Sequence, residues 1–269
     1  MITKLAQTDF NMITLNYKEY GSGEKYLIIL HGFLGSLDNW HTLATEWGNH
    51  GLHVFVVDQR NHGKSPHTSS HSIPLMVGDV KDFMEQHHIT KTSLLGHSMG
   101  GKVAMQFALT YPELTDKLIV ADMAPRPYRN GAHDDVFKAI NNVDLSKAQT
   151  RKDVEQAMAQ YLGDFGTRQF IMKGLDRADE SHYTWKFNVE VLKRDYVNIL
   201  QEIYSLNHFL GDALFIRGGN SLYVQEKDLP AIHKLFPHYK LVTVEDAGHW
   251  LHAEDPEGFI ARCMHYFMS

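Results

Sequence analysis

The chain has 269 residues, 43% of them hydrophobic, enough for one sizeable core or a core with an insertion. With 26 basic against 32 acidic residues, a net charge of −6 and no cluster of Lys and Arg, the sequence argues against a nucleic-acid or anionic-membrane surface as its main role. A single cysteine, Cys263, excludes an internal disulfide framework and fits a reducing compartment.

The N-terminal stretch MITKLAQTDFNMITLNYKEY lacks the apolar segment of a signal peptide, and the longest early apolar run, YLIIL, is far short of a membrane span. A soluble cytoplasmic protein is expected, a monomer or small homo-oligomer without stable membrane insertion and without a nucleic-acid partner. Residues 13–20 (ITLNYKEY) and 26–31 (YLIILH) read as strands, and 37–49 as a helix. The second strand ends at His31-Gly32-Phe33, where the glycine permits a turn and the Phe33 N–H is free to act as a donor.

Residues 53–58 (HVFVVD) are the next strand, followed by Arg60, Asn61 and His62, which read as a satisfied polar loop or a polar network beneath the later strand-to-helix turn, with a structural role favoured. His62, His67 and His71 lie close together, but neither H-E-x-x-H nor C-x-x-C accompanies them. They are expected to be solvated loop histidines, with no metal. A helix over 72–88 carries apolar residues at 73, 76, 77, 80, 83 and 84.

Residues 91–97 (KTSLLGH) read as a strand and 99–111 as a helix, with Gly96-His97-Ser98-Met99-Gly100 between them. In that context the G-x-S-x-G pattern demands a sharp strand-to-helix turn that exposes the Ser98 hydroxyl above a sheet. Gly96 and Gly100 have no Cβ to collide where strand and helix approach. The turn puts the Met99 N–H at a helix N-terminus, suited to an oxyanion. His97 points away by strand alternation and reads as a packing residue.

Residues 117–122 (KLIVAD) are a further strand, after which the strand-helix rhythm stops. From 125 to 207 the patterns are helical, as in VEQAMAQYL (154–162) and VLKRDYVNILQEIYSL (191–206), with no clear strand. The rhythm resumes with a strand over 213–219 (ALFIRGG), a helix over 226–236, a strand over 239–246 (YKLVTVED) and a last helix over 256–267. Strands rich in Val, Ile and Leu on both faces, separated by helices, indicate an α/β fold with a mostly parallel sheet covered on both sides. Residues 1–124 and 208–269 form the expected core, and 125–207 a helical lid inserted between two late strands.

His249 stands on the loop after the last strand, next to Gly248. A serine hydroxyl needs a base within hydrogen-bond reach, and the order of serine first and histidine last suits a nucleophile elbow. His252 is expected at the start of the final helix and is the weaker candidate. The acid is not where such folds often keep it: the turn after 213–219 offers Asn220, Ser221 and Tyr223, and no carboxylate.

Six stretches, HGFLGSLDNW, VVDQRNHGKSP, GHSMGGKVAM, ADMAPRPY, RGGNSLYV and AGHWLHAEDP, resemble the α/β-hydrolase superfamily and, more narrowly, the YbfF-type bacterial esterases and their mitochondrial relatives. The resemblance implies a carboxylester or acyl-thioester hydrolase whose acid comes from the strand after the elbow, here Asp122, with a serine, Ser221, at the usual acid position. In the strand order that the resemblance implies, the strand ending at Asp122 neighbours the nucleophile strand, and neighbouring strands lie about 4.8 Å apart. Asp246 is too close in sequence to His249, and Glu226 begins a helix.

The expected site is therefore Ser98, Asp122 and His249, supported by Ser221, with Phe33 and Met99 N–H groups for the oxyanion and no cofactor. Phe33, Met99, Tyr128, Trp185 and Trp250 are candidates for an acyl pocket. The substrate is a small-molecule ester or acyl thioester of short to medium chain. A C–C bond hydrolase or perhydrolase would reuse the triad, and a non-catalytic ligand receptor would keep only the fold.

Overall fold

Strands that are apolar on both faces belong in a sheet with helices on both sides, and the register of that sheet decides which loops meet at its edge. The computed structural model describes residues 12–129, 131, 133–179 and 182–268. In chain order come β1 (Tyr17–Tyr20), β2 (Lys25–Leu30), α1 (His41–Asn49), β3 (Leu52–Val57), α2 (Ile73–Gln86), β4 (Thr92–His97), α3 (Met99–Thr110) and β5 (Thr115–Ala121). The insertion follows with α4 (Asp134–Asn142), α5 (Arg151–Ala159), α6 (Phe165–Met172), β6 (Leu175–Arg177), β7 (Tyr183–Trp185), α7 (Val189–Arg194) and α8 (Tyr196–Leu200). The chain then returns through β8 (Asp212–Gly218), α9 (Leu229–Leu235), β9 (Tyr239–Val244), α10 (Leu251–Glu254) and α11 (Pro256–Met268).

Seven strands pair in the order β1-β3-β2-β4-β5-β8-β9, antiparallel only between β1 and β3. Alternation sends Leu27, Ile29, Val54, Val56, Leu95 and Ile119 to the face covered by Trp47 of α1 and by Phe259 and Cys263 of α11. Ile28, Leu30, Phe55, Leu94, Leu118 and Val120 go to the face covered by α2, α3 and α9. Each fully buried side chain of this kind contributes about 1.5–3 kcal/mol. The register aligns Leu30 with Gly96, His97 with Ala121 and Ala121 with Ile216. The residues that follow these tips therefore emerge along one edge, and the site is built there.

The structure corrects the expectations at three places. The insertion is not all helical: β6 and β7 form an antiparallel pair, Leu175 opposite Trp185. Three residues per strand are too few for alternation to show in a sequence. The helical pattern of 191–206 breaks at Asp195, whose carboxylate accepts the His71 N–H at 2.9 Å, and ends by Gln201, which is extended. Only the second half of 13–20 is strand, because the Asn16 N–H goes to the Ser65 hydroxyl at 2.8 Å instead of a ladder. Both ends of the insertion are tied together: Tyr128 N–H donates to Leu200 O at 2.8 Å and Ile203 N–H to Pro125 O at 2.7 Å. Among the described residues no helix is long and apolar enough to cross a membrane.

Candidate active site

β4 ends at His97 and α3 begins at Met99, so Ser98 alone makes the turn between them. Its φ of 53° and ψ of −117° lie in a sparsely populated region that costs about 1–3 kcal/mol. The surroundings hold it there: Ser98 N–H donates to Ala121 O at 3.1 Å, and Lys102 N–H closes the first helical turn on Ser98 O at 3.2 Å. A Cβ on Gly96 or Gly100 would fall 2.1 Å from a backbone carbonyl oxygen, so the strand and helix can meet this closely only at glycine.

Asp122 is the first residue past β5, fully buried, with φ of 49°. Its N–H donates to Ile216 O at 2.7 Å, fastening it to β8. Three donors converge on its carboxylate: His249 Nδ1–H on Oδ2 at 2.7 Å, the Ser221 hydroxyl on the same oxygen, and Gly218 N–H on Oδ1 at 3.2 Å. With Nδ1 protonated, His249 Nε2 presents its lone pair to Ser98 Oγ at 3.1 Å. Hydrogen bonds thus run from the nucleophile position to a buried carboxylate across three strand ends. The competing acids are elsewhere: Glu226 pairs with Arg217 at 2.8 Å, and Asp246 is exposed.

The turn after β8 lacks a carboxylate but serves the site in other ways. A Cβ on Gly218 would fall 2.2 Å from Gly248 O, so glycine lets this turn nest against the histidine loop. The Tyr223 ring lies flat on the His249 imidazole, centroids 3.7 Å apart and 15° from parallel, while Tyr223 N–H donates to Ser221 Oγ at 3.2 Å. His97 is more than a packing residue, because its Nε2–H donates to His249 O at 2.8 Å and anchors the loop from below.

The loop that carries Phe33 is braced by two neutral imidazoles. His31 Nδ1–H donates to Gly32 O at 2.8 Å and its Nε2 accepts Gln59 N–H at 3.0 Å. His62 Nδ1–H donates to Arg60 O at 2.9 Å and its Nε2 accepts Leu34 N–H at 3.2 Å. Burial holds both below the usual histidine range, His62 far below it. His62 and His71 are therefore buried, correcting the expectation of solvated loop histidines, whereas His67 is exposed. Both nitrogens of His62 are committed to the backbone, leaving no lone pair for a metal. Arg60 makes a two-pronged contact with Asp79, both bonds 2.6 Å, which suits its structural reading. Among the described residues neither Phe33 N–H nor Met99 N–H is engaged by a loop, turn or cap bond.

A cavity of about 40 Å³ opens beside Ser98, lined by Phe33, Met99, Lys102, Tyr128, Tyr196 and Tyr223 among others. Two of the expected pocket residues lie outside it. Trp185 stacks on Phe187 at 5.2 Å, and Trp250 stacks on the insertion's Phe170 at 3.8 Å beside a separate cleft of about 410 Å³. The Phe33 ring reaches the insertion, 5.9 Å from Phe137 and 5.2 Å from Tyr196. Burial, helped by His249, lowers His133 to about 4 and His252 to about 3, and burial pushes His97 far down. These imidazoles stay neutral near pH 7 and place no positive charge against His249. His252 lies in a short helix of its own, α10, and stacks on Trp40 at 4.4 Å, so it is not a second base.

The structure brings Ser98, Asp122, His249 and Ser221 together, with the Phe33 loop and the Met99 helix start beside them. Sequence reasoning missed Tyr223 as a plate for His249, His97 as an anchor and Lys102 in the cavity. Only Lys102 left a signal, a lone cation in the apolar helix GGKVAMQFAL.

Comparison with known proteins bears on the fold and the family. The family described as alpha/beta hydrolase fold matches residues 25–256. Esterase YbfF of Escherichia coli (strain K12) is 37% identical over 242 residues, 89% of this chain and 92% of that one. An sn-1-specific diacylglycerol lipase, ABHD11 of Danio rerio, is 34% identical over 93% of this chain and 81% of that one. The solved structure of a marine microorganism esterase superposes with a TM-score of 0.91 at 37% identity, covering 94% of this chain and 99% of that one.

Proposed function

The chain belongs to the alpha/beta hydrolase fold family, and on that premise we propose that Ser98, His249 and Asp122 cleave carboxylic esters or acyl thioesters through an acyl-enzyme intermediate. It is a carboxylesterase-type hydrolase, as its likeness to esterases and a lipase supports. The observation that carries the residue roles is the unbroken contact from Ser98 Oγ through His249 to the buried Asp122.

Ser98 Oγ attacks the ester carbonyl as its proton passes to His249 Nε2. The new C–O bond displaces the carbonyl electron pair onto oxygen, where the Phe33 and Met99 N–H groups receive it. The bond to the alcohol or thiol breaks, and His249 returns the proton to the departing group. Water then repeats the sequence on the acyl-enzyme and frees the acid. Asp122 remains an anion that fixes the tautomer and balances the imidazolium, and Ser221 steadies it. Residues 125–207 act as a lid that limits acyl length to short and medium chains, supported by the rings it adds to the small cavity.

A fluorophosphonate is expected to label Ser98 stoichiometrically and abolish ester turnover, and Ser98→Ala to lose at least about a thousandfold. Labelling at another residue, or activity within tenfold of wild type in Ser98→Ala, overturns the assignment. A protein that binds esters but turns none over would be a receptor on this fold.

A further inference from the structure

Lys102 is a cation in an unusual place. It lies one helical turn after Ser98 on α3, about 6 Å along the axis, is 1% exposed, and lines the cavity beside Ser98. Its ammonium donates to Gln201 O and sits 4.9 Å over the Tyr128 ring. Among the described residues no carboxylate lies within ion-pairing distance, and Glu202 acts only through space. Arg126, on the same ring at 4.0 Å, has its own carboxylate, Asp228, at 3.0 Å. A buried ammonium with no counter-charge is costly, and a ligand that supplies the charge recovers that cost.

We propose that Lys102 is a specificity residue that receives a carboxylate at the far end of the acyl chain while the ester carbonyl sits at Ser98. The acyl side is indicated because the cavity is lined by Ser98, Phe33 and Met99 but not by His249, and the leaving atom must lie where His249 can protonate it. One helical turn between nucleophile and cation suits a four- or five-carbon diacid. Burial and the neighbouring Arg126 lower Lys102 to about 7, so an incoming carboxylate would both meet and stabilise its charged form. The inference rests on the esterase reading above.

The test compares monoethyl succinate with its neutral isostere ethyl levulinate, and monoethyl glutarate with ethyl 5-oxohexanoate, each normalised to its hydroxide-catalysed rate. Wild type is expected to favour the carboxylate in at least one pair by about tenfold or more in kcat/KM, as a charge-assisted hydrogen bond would give. Lys102→Met should bring that ratio to about one, and Lys102→Arg should keep most of it. A wild-type ratio near one in both pairs, with the neutral esters turned over, overturns the inference and leaves the esterase reading standing. Parallel loss on both esters in Lys102→Met, with the ratio unchanged, makes Lys102 a clasp between α3 and the insertion and also overturns it. If Lys102→Met does not fold, the wild-type ratio and Lys102→Arg decide. If wild type turns over none of the four, fluorophosphonate labelling of Ser98 decides the esterase reading. Calorimetry of monoethyl succinate against ethyl levulinate on Ser98→Ala then decides the subsite, equal or absent binding overturning it.

Discussion

On the sheet side of Ser98, β5, β8 and the histidine loop meet through hydrogen bonds between strand-tip atoms, and they converge on the fully buried carboxylate of Asp122. On the insertion side, rings meet beside the site: Phe33 against Phe137 and Tyr196, and Trp250 against Phe170. Polar bonds fasten the insertion at the neck, where Tyr128 OH accepts Ala124 N–H at 2.9 Å and donates to Tyr223 O at 2.8 Å. They also fasten it along the loop after β3, where Asn188 N–H donates to Asn61 O at 2.9 Å and Asp195 accepts the His71 N–H at 2.9 Å. Directional bonds to a buried charge tolerate little displacement, whereas ring contacts can slide. The sheet side is therefore suited to fix the chemistry, and the ring-lined part of the insertion side to adapt to the substrate.

The comparison breaks if the acid on the sheet side is dispensable. Asp122→Asn should keep the fold and lose at least about a hundredfold in kcat, since a neutral amide supports the wrong tautomer and cannot balance the imidazolium. A change below tenfold, with collapse in Asp246→Asn instead, moves the acid to another residue.

Acid should weaken the buried neutral histidines of the sheet side. The neutral His31, His62, His71 and His97 have folded values below their unfolded value of about 6.5, and His71 is lowered by burial to about 3. Their contribution is complete above about pH 6.5 and fades as pH falls toward the folded values. For His71 that loss reaches about 2 kcal/mol by pH 5. Urea unfolding at pH 7 and pH 5 measures it, and equal midpoints would contradict the neutral braces.

Tyr128→Phe sharpens the contrast from the insertion side. It strands the Ala124 N–H and the Tyr223 carbonyl, at about 1–2 kcal/mol, and should speed amide exchange across α4 to α8 while β4 and β5 stay protected. Equal acceleration in the sheet would mean that the two sides are one cooperative unit. The smallest effect is expected for Ser221→Ala, about tenfold or less in kcat, because the carboxylate keeps His249 and Gly218 as donors.

Much of the sheet side was legible in the chain itself. The alternation of apolar strands and helices indicated a mostly parallel sheet, and the strand-to-helix turn at GHSMG singled out Ser98. Asp122 was reachable through the resemblance to a known family, whose strand order sets its tip one interstrand spacing from the nucleophile strand. The insertion was legible only as an interruption. Its β6–β7 pair is too short to alternate visibly, and its helix break at Asp195 depends on the His71 amide, far away in sequence.

The amino-acid order alone determined which groups stand at strand ends, since periodicity and glycine placement act over a few residues. Only the tertiary structure decided that Tyr223 lies on His249, that His97 anchors its loop, that His62 is buried rather than wet, and that Trp250 faces Phe170 instead of the cavity. Those outcomes depend on residues 26 to 152 positions apart meeting under close packing. No local pattern records such a meeting, because its energy belongs to the pair and to the space around it.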